Sequence, residues 1–174
     1  MIVSHANRFI FIHNPKCAGS SLRERLQQYH EETEAFWGRR FVPYLGCERD
    51  FAHLRLWEMH MLFPDIFFRI PYYRSLVLVR NPYERFLSSL AEYISTYKPD
   101  FDVDRTPPAA HCRMAAEIIE HELRMETVIG DVKFVHFSPQ TWYILVGQRR
   151  LVRHVPRSRL VVMNGVKCLP RSTY

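Results

Sequence analysis

The chain has 174 residues, of which 47% are hydrophobic and 24% charged, and its net charge is +6. This is the make-up of one globular domain that can bury its own core, and it excludes disordered, collagen-like and coiled-coil chains. Lys and Arg total 24, yet only Lys16, Lys98, Lys133 and Lys167 are Lys. Planar guanidinium forks therefore dominate the positive charge, which on composition alone reads either as a codon or lineage bias towards Arg or as a hint of an anionic partner such as a phosphate or sulfate group.

No segment reaches the roughly 18 consecutive apolar residues that a membrane span needs. The apolar run Phe9 to Ile12 is too short for a secretion signal, and Pro15-Lys16 breaks the pattern soon after it, so a cytoplasmic location with no transmembrane segment is expected. Cys17, Cys47, Cys112 and Cys168 are widely spaced. With no CxxC pair, a zinc ribbon or finger is not supported, and nothing demands a disulfide.

In chain order, the first predicted element is a short strand over Phe9 to Ile12, apolar at every position as a strand covered on both faces requires. His13 to Gly19 reads as a loop. Ser20 or Ser21 is expected to cap a helix, with Ser21 and Glu24 at capping-box spacing and Leu22, Leu26 and Tyr29 on one face. After a helical stretch, Ser75 to Arg80 repeats the buried-strand pattern. Asn81 then predicts an N-cap, Pro82 the first helical position and Glu84 a capping box, with Phe86, Leu90 and Ile94 as the apolar face. Lys98 to Pro108 reads as a loop, Ala109 to Met125 as a helix and Val132 to Phe137 as a strand. A short helix is expected from Pro139, and another buried strand over Leu160 to Met163. Two strand–turn–helix units predict an α/β fold with a parallel sheet flanked by helices, in a single domain over 1–174. The stretch after about residue 165 is expected to be irregular or shortened.

The first loop carries the chemistry of an anion cradle. Lys16 supplies charge, Cys17, Ala18 and Gly19 let the backbone approach a ligand, and Ser20 and Ser21 add hydroxyl donors at a helix N-terminus. It is not the G-x-x-x-x-G-K-[ST] nucleotide loop, because its Lys precedes the Gly. The second strand ends in Arg80-Asn81, with no acidic residue to hold Mg²⁺, so an ATP-dependent kinase is disfavoured and no metal is expected. Arg80, at the second strand's end, can reach the same sheet edge. Asn81, Arg85 and Ser88 share a helical face, so Arg80 and Ser88 could clamp a second phosphate. The alternative is a solvated Arg85 and a Ser88 that serves helix packing.

Taken together, Phe11-Ile12-His13-Asn14-Pro15-Lys16-Cys17-Ala18-Gly19-Ser20-Ser21-Leu22 resembles the 5′-phosphosulfate loop of sulfotransferases. Leu78-Val79-Arg80-Asn81-Pro82-Tyr83-Glu84-Arg85-Phe86-Leu87-Ser88 resembles their 3′-phosphate motif. The pattern is similar to the carbohydrate branch, with its Golgi and bacterial members, and extends more weakly through Ser138 to Tyr143. The resemblance implies a P-loop-like fold and the donor 3′-phosphoadenosine 5′-phosphosulfate (PAPS). It implies that Lys16, Cys17, Ala18, Gly19, Ser20 and Ser21 hold the phosphosulfate, and that Arg80 and Ser88 hold the 3′-phosphate. The two anion clamps would then do the electrostatic work that Mg²⁺ does in kinases.

Sulfuryl transfer to a hydroxyl needs a general base. The resemblance puts a His between the two motifs, and His53 fits, making Lys16 and His53 the catalytic pair. His60, seven residues on, His13 beside the loop, and Glu58 are the other candidates. Arg149, Arg150, Arg153, Arg157 and Arg159 form a basic cluster that either attracts an acidic glycan or is a solvated face. The acceptor is expected to be a hydroxyl on a glycan, lipid or small molecule. A non-catalytic relative that binds nucleotide or polyanion, and a kinase-like phosphotransferase, are the alternatives. Nucleic acid is not expected, because aromatics are not interleaved with the basic residues.

Overall fold

The computed structural model describes residues 1–102 and 105–157, and the backbone of 161–163 and 166–168. Ile2–Ser4 (β1) pairs antiparallel with Phe9–Ile12 (β2), Ile2 lying opposite Phe11. β1 is an addition to the expected elements. It is only three residues long, and a tight turn closed by Arg8 N donating to His5 O returns the chain without a crossover. As expected for a doubly covered strand, Ile10, Phe11 and Ile12 are fully buried.

After the loop comes Gly19–Leu26 (α1). Its start differs from the expectation. Ala18 takes the left-handed conformation (φ 60°) and turns the chain into the helix, with no side-chain cap. Ser20 and Ser21 thus lie inside the first turn, and the Ser21–Glu24 capping box does not form. A hairpin comes next, Arg39–Val42 (β3) with Cys47–Asp50 (β4), and then two short helices, Leu56–Leu62 (α2) and Pro64–Phe67 (α3).

Arg74–Val77 (β5) runs parallel to β2, Phe9 opposite Arg74 and Ile12 opposite Val77. The sheet order is β1-β2-β5, so the protein is a single α/β domain whose sheet is mixed, not purely parallel. On the free side of β5 the chain returns, with His154 N donating to Ser75 O and Val77 N to His154 O. β5 ends three residues short of Arg80, which sits in the loop beyond it.

The helix Pro82–Tyr97 (α4) begins as predicted: Asn81 Oδ1 accepts from the backbone N–H groups of Tyr83 and Glu84, with Pro82 at the first position. Glu84 does not complete a capping box, because its carboxylate takes the Nε of Arg80 at 3.1 Å instead. The predicted helix over Ala109 to Met125 is broken. Pro108–Glu117 (α5) widens into a turn over Ile118–Glu122, and Met125–Gly130 (α6) is separate. Val132–Phe137 is a 3₁₀ helix, not a strand: Asp131 caps it by accepting from Lys133 N, and the turn buries Phe134 and Val135. A 3₁₀ turn does form after Pro139, over Gln140–Tyr143.

Two hairpins close the described chain: Leu145–Val146 (β6) with Arg149–Arg150 (β7), and Val161–Met163 (β8) with Val166–Cys168 (β9). The predicted final strand thus pairs with its own successor, not with the central sheet, and Leu160, Asn164, Gly165 and Arg159 lie outside the described residues. Arg150 and Arg153 of the basic cluster are spent on backbone carbonyls, those of Val152, Arg153 and Pro71.

One apolar cluster, including Ile10, Ile12, Phe36, Leu56 and Val77, packs around the sheet. A second, with Leu90, Tyr93, Ile94, Ile118, Val128 and Phe134, joins α4 to the turns beyond α5. Among the described residues no helix is long and apolar enough to cross a membrane.

Candidate active site

The register of β2 and β5 puts their carboxyl ends side by side, so the loop after each opens on the same edge of the sheet. Between those loops and α4 lies a cavity of ≈ 570 Å³. Lys16, Ala18, Gly19, Ser20, Ser21, His53, Arg80 and Ser88 all line it, joined by His13, Glu92 and His136. Of the predicted phosphosulfate-loop residues, Cys17 alone is absent from the lining. Its side chain is fully buried and receives a hydrogen bond from Asn14 Nδ2 at 3.2 Å. Burial pushes that thiol up to about 11.

The first loop is held in a strained shape. Lys16 and Ala18 are both left-handed (φ 60° each), which costs on the order of 1–3 kcal/mol per non-Gly residue. Such residues turn successive N–H groups towards a common point, the geometry of an anion-binding nest. Gly19 is needed for close approach: a Cβ there would lie 2.2 Å from His13 Cδ2. From beneath, Arg85 donates through Nε to Pro15 O at 2.9 Å. Its side chain is buried, not solvated as the sequence alternative had it, and its Nη2 has no hydrogen-bond partner.

Lys16 is ion-paired with Glu92 of α4, across the cavity. Burial raises the Glu92 carboxyl, but the bond from Lys16 and the His136 ring outweigh it and leave it below its usual range. Glu92 Oε1 also lies 3.5 Å from His136 Nδ1. Neither Glu92 nor His136 was among the sequence candidates. Glu92 continues the Ser88 face by one helical turn, so its spacing was readable; His136 carried no local signal.

His53 lies in a 3₁₀ turn before α2, and its Nδ1 is 3.0 Å from His13 O. A carbonyl only accepts, so Nδ1 carries the proton and Nε2 keeps its lone pair. The rings of His13 and His136 pack against His53 at 4.4 and 5.3 Å. Burial holds His53 and His136 down to about 4, and burial with the neighbouring His53 takes His13 well below the ordinary range. All three rings are neutral near pH 7.

The other candidates fall elsewhere. His60 is exposed on α2 and packs on the Phe67 and Phe68 rings. Glu58 is buried between two arginines, 3.2 Å from Arg55 Nη1 and 2.9 Å from Arg49 Nε. Arg55 in turn bonds Ser138 Oγ and two carbonyls of α6. This is a buried structural network, and Glu58 has no free edge for a substrate.

The two loops are tied together by Gln140, whose Oε1 accepts from Asn14 Nδ2 in the first loop and from Arg80 N in the second. Comparison with known protein families, with curated proteins and with solved structures finds no match for the chain.

Proposed function

We propose that the chain is a PAPS-dependent sulfotransferase with a P-loop-like nucleotide site, acting on a hydroxyl of a glycan, lipid or other small acceptor. One observation carries this reading: the Lys16–Ser21 loop, the Arg80–Ser88 segment and His53, far apart in sequence, line one cavity. In this reading the left-handed loop and the hydroxyls of Ser20 and Ser21 receive the 5′-phosphosulfate. Arg80 and Ser88 receive the 3′-phosphate, and the buried Arg85 adds positive charge under the loop.

In the reaction the acceptor oxygen attacks sulfur in line. A new S–O bond forms as the bond to the phosphate oxygen breaks, and adenosine 3′,5′-bisphosphate leaves with the electron pair. Lys16 exchanges Glu92 for the developing charge on that oxygen. The acceptor proton goes to His53 Nε2, the nitrogen that its bond to His13 O leaves unprotonated. A base held down to about 4 is weak in the empty site. The charges of a bound donor raise it towards the working range.

Calorimetry with adenosine 3′,5′-bisphosphate, without Mg²⁺, is the first test. Binding is expected without metal, and weaker binding is expected for Arg80→Ala. Binding of ATP with Mg²⁺ alone would overturn the reading in favour of a kinase-like protein. Transfer of label from PAPS to an acceptor panel is the second. Lys16→Ala and His53→Ala should each lower turnover by about 10²-fold or more while the bisphosphate still binds to His53→Ala. Unchanged turnover in His53→Ala would remove His53 from its role.

A further inference from the structure

His53 and His136 of the cavity wall form, with Asp50 beside them, a second set of groups that the proposed transfer does not use as a set. One ligand atom from each of Asp50, His53 and His136 lies within 4.8 Å of the other two. We infer that these three residues form a binding site for a borderline divalent cation, with Zn²⁺ preferred over Mg²⁺ or Ca²⁺. Two neutral imidazoles and one carboxylate suit Zn²⁺, whereas the hard cations prefer oxygen ligands alone.

The surroundings carry the inference beyond proximity. Metal-ligating His residues usually commit their other nitrogen to a carbonyl or carboxylate, which fixes ring and tautomer. His53 has such a partner, its Nδ1 donating to His13 O at 3.0 Å, and the Glu92 carboxylate stands 3.5 Å from His136 Nδ1, where it could take that role. Asp50, at the end of β4, accepts from Ala52 N at 2.9 Å. Among the described residues no cationic side chain lies within ion-pair distance of it. It is thus a half-buried carboxylate that faces Arg39 across the β3–β4 pair without closing an ion pair, and it stays open to a cation. The three atoms must draw together slightly to reach bonds of about 2.0–2.2 Å, and three protein ligands leave a fourth position open. His53 and His136 line the cavity, so that position is reached from it. A bound cation takes the lone pair that His53 would offer an acceptor hydroxyl, so the two uses exclude each other.

The test is titration of the chelator-treated full chain with Co²⁺ and then Zn²⁺, monitored by visible absorption. One equivalent of Co²⁺ should give the intense d–d bands of a four- or five-coordinate site, and Zn²⁺ should displace it. Asp50→Asn, which keeps the acceptor for Ala52 N, and His136→Ala should each weaken binding at least tenfold, with circular dichroism confirming the fold. His60→Ala should change nothing. No d–d bands, binding untouched by both variants, or a thiolate charge-transfer band from Cys47 or Cys112 would overturn the inference. The readout involves no donor or acceptor, so it stands or falls apart from sulfuryl transfer.

Discussion

Gln140 grips the backbone of Arg80 at both polar groups, its Oε1 accepting from Arg80 N and its Nε2 donating to Arg80 O, each at 2.9 Å. A side chain thereby replaces the strand pairing that β5 has lost by this point, and it fixes the start of the Arg80 side chain. Gln140→Ala would strip both partners from a half-buried peptide group. Unmet buried groups cost about 1–3 kcal/mol, so a drop of that order in urea stability is expected. Affinity for adenosine 3′,5′-bisphosphate should fall about tenfold or more. If stability falls and affinity does not, Arg80 is not a ligand for the nucleotide.

Gly19→Ala tests the packing of the first loop. The added methyl would lie 2.2 Å from His13 Cδ2 and 2.6 Å from Nε2, and the buried ring must move. Bisphosphate affinity should drop, and the melting temperature with it. Gly130→Ala, where the new carbon meets nothing within 4 Å, is the control and should be silent in both measurements.

Acid should unfold the protein in a defined window. His13, His53 and His136 are all depressed by burial, His53 and His136 to about 4. Between the ordinary His value near 6.5 and about 4, the unfolded chain binds these protons and the folded one does not. The contribution of these three rings is therefore full above about 6.5 and is lost as the pH falls towards 4. The urea midpoint should decline more steeply below pH 6.5, as these rings begin to take up protons in the unfolded chain. The decline should be shallower in His136→Asn, and an equal slope in that variant would contradict the burial of its ring.

Glu58 separates a structural carboxylate from a chemical one. Removing one member of a buried ion pair leaves its partner uncompensated and costs about 3–5 kcal/mol. Glu58→Ala leaves both Arg49 and Arg55 in that position, so a loss of this size is expected in urea unfolding. Loss of sulfuryl transfer at unchanged stability would instead make Glu58 the base.

The cysteines should differ in reactivity. Cys17 is fully buried, with its thiol pushed up to about 11, while Cys112 is exposed on α5. At pH 8, alkylation and mass spectrometry should show Cys112 labelled quickly and Cys17 only on unfolding. Rapid labelling of Cys17 in the folded chain would show that the loop opens.

What the sequence made readable was local. The apolar run of β2, the Asn81 cap and Pro82 at the first turn each rest on residues within a few positions of one another, and they stand as read. The Ser21–Glu24 box obeys the same kind of rule but lost to a backbone solution, the left-handed Ala18. For the site, the spacing of Asn81, Arg85 and Ser88 told which residues share a face but not what that face meets. Arg85 therefore proved buried under Pro15, not solvated. His136 reaches the cavity, and Asp50 comes beside it, only through tertiary packing of a 3₁₀ helix and a hairpin, and no periodicity encodes that.

The hydrogen bonds that shape the cavity join residues distant along the chain. Asn14 meets Leu78 across 64 positions, and Arg80 meets Gln140 across 60. Contacts of such reach close large loops and are expected late in folding, after the local helices. The strain of Lys16 and Ala18 can be held only once those long-range contacts exist. In kinetic terms, the left-handed loop is a late product of the folding reaction. On the proposed function, a ribosome-bound chain that ends before Gln140 should carry α1 and α4 and still be unable to hold a nucleotide.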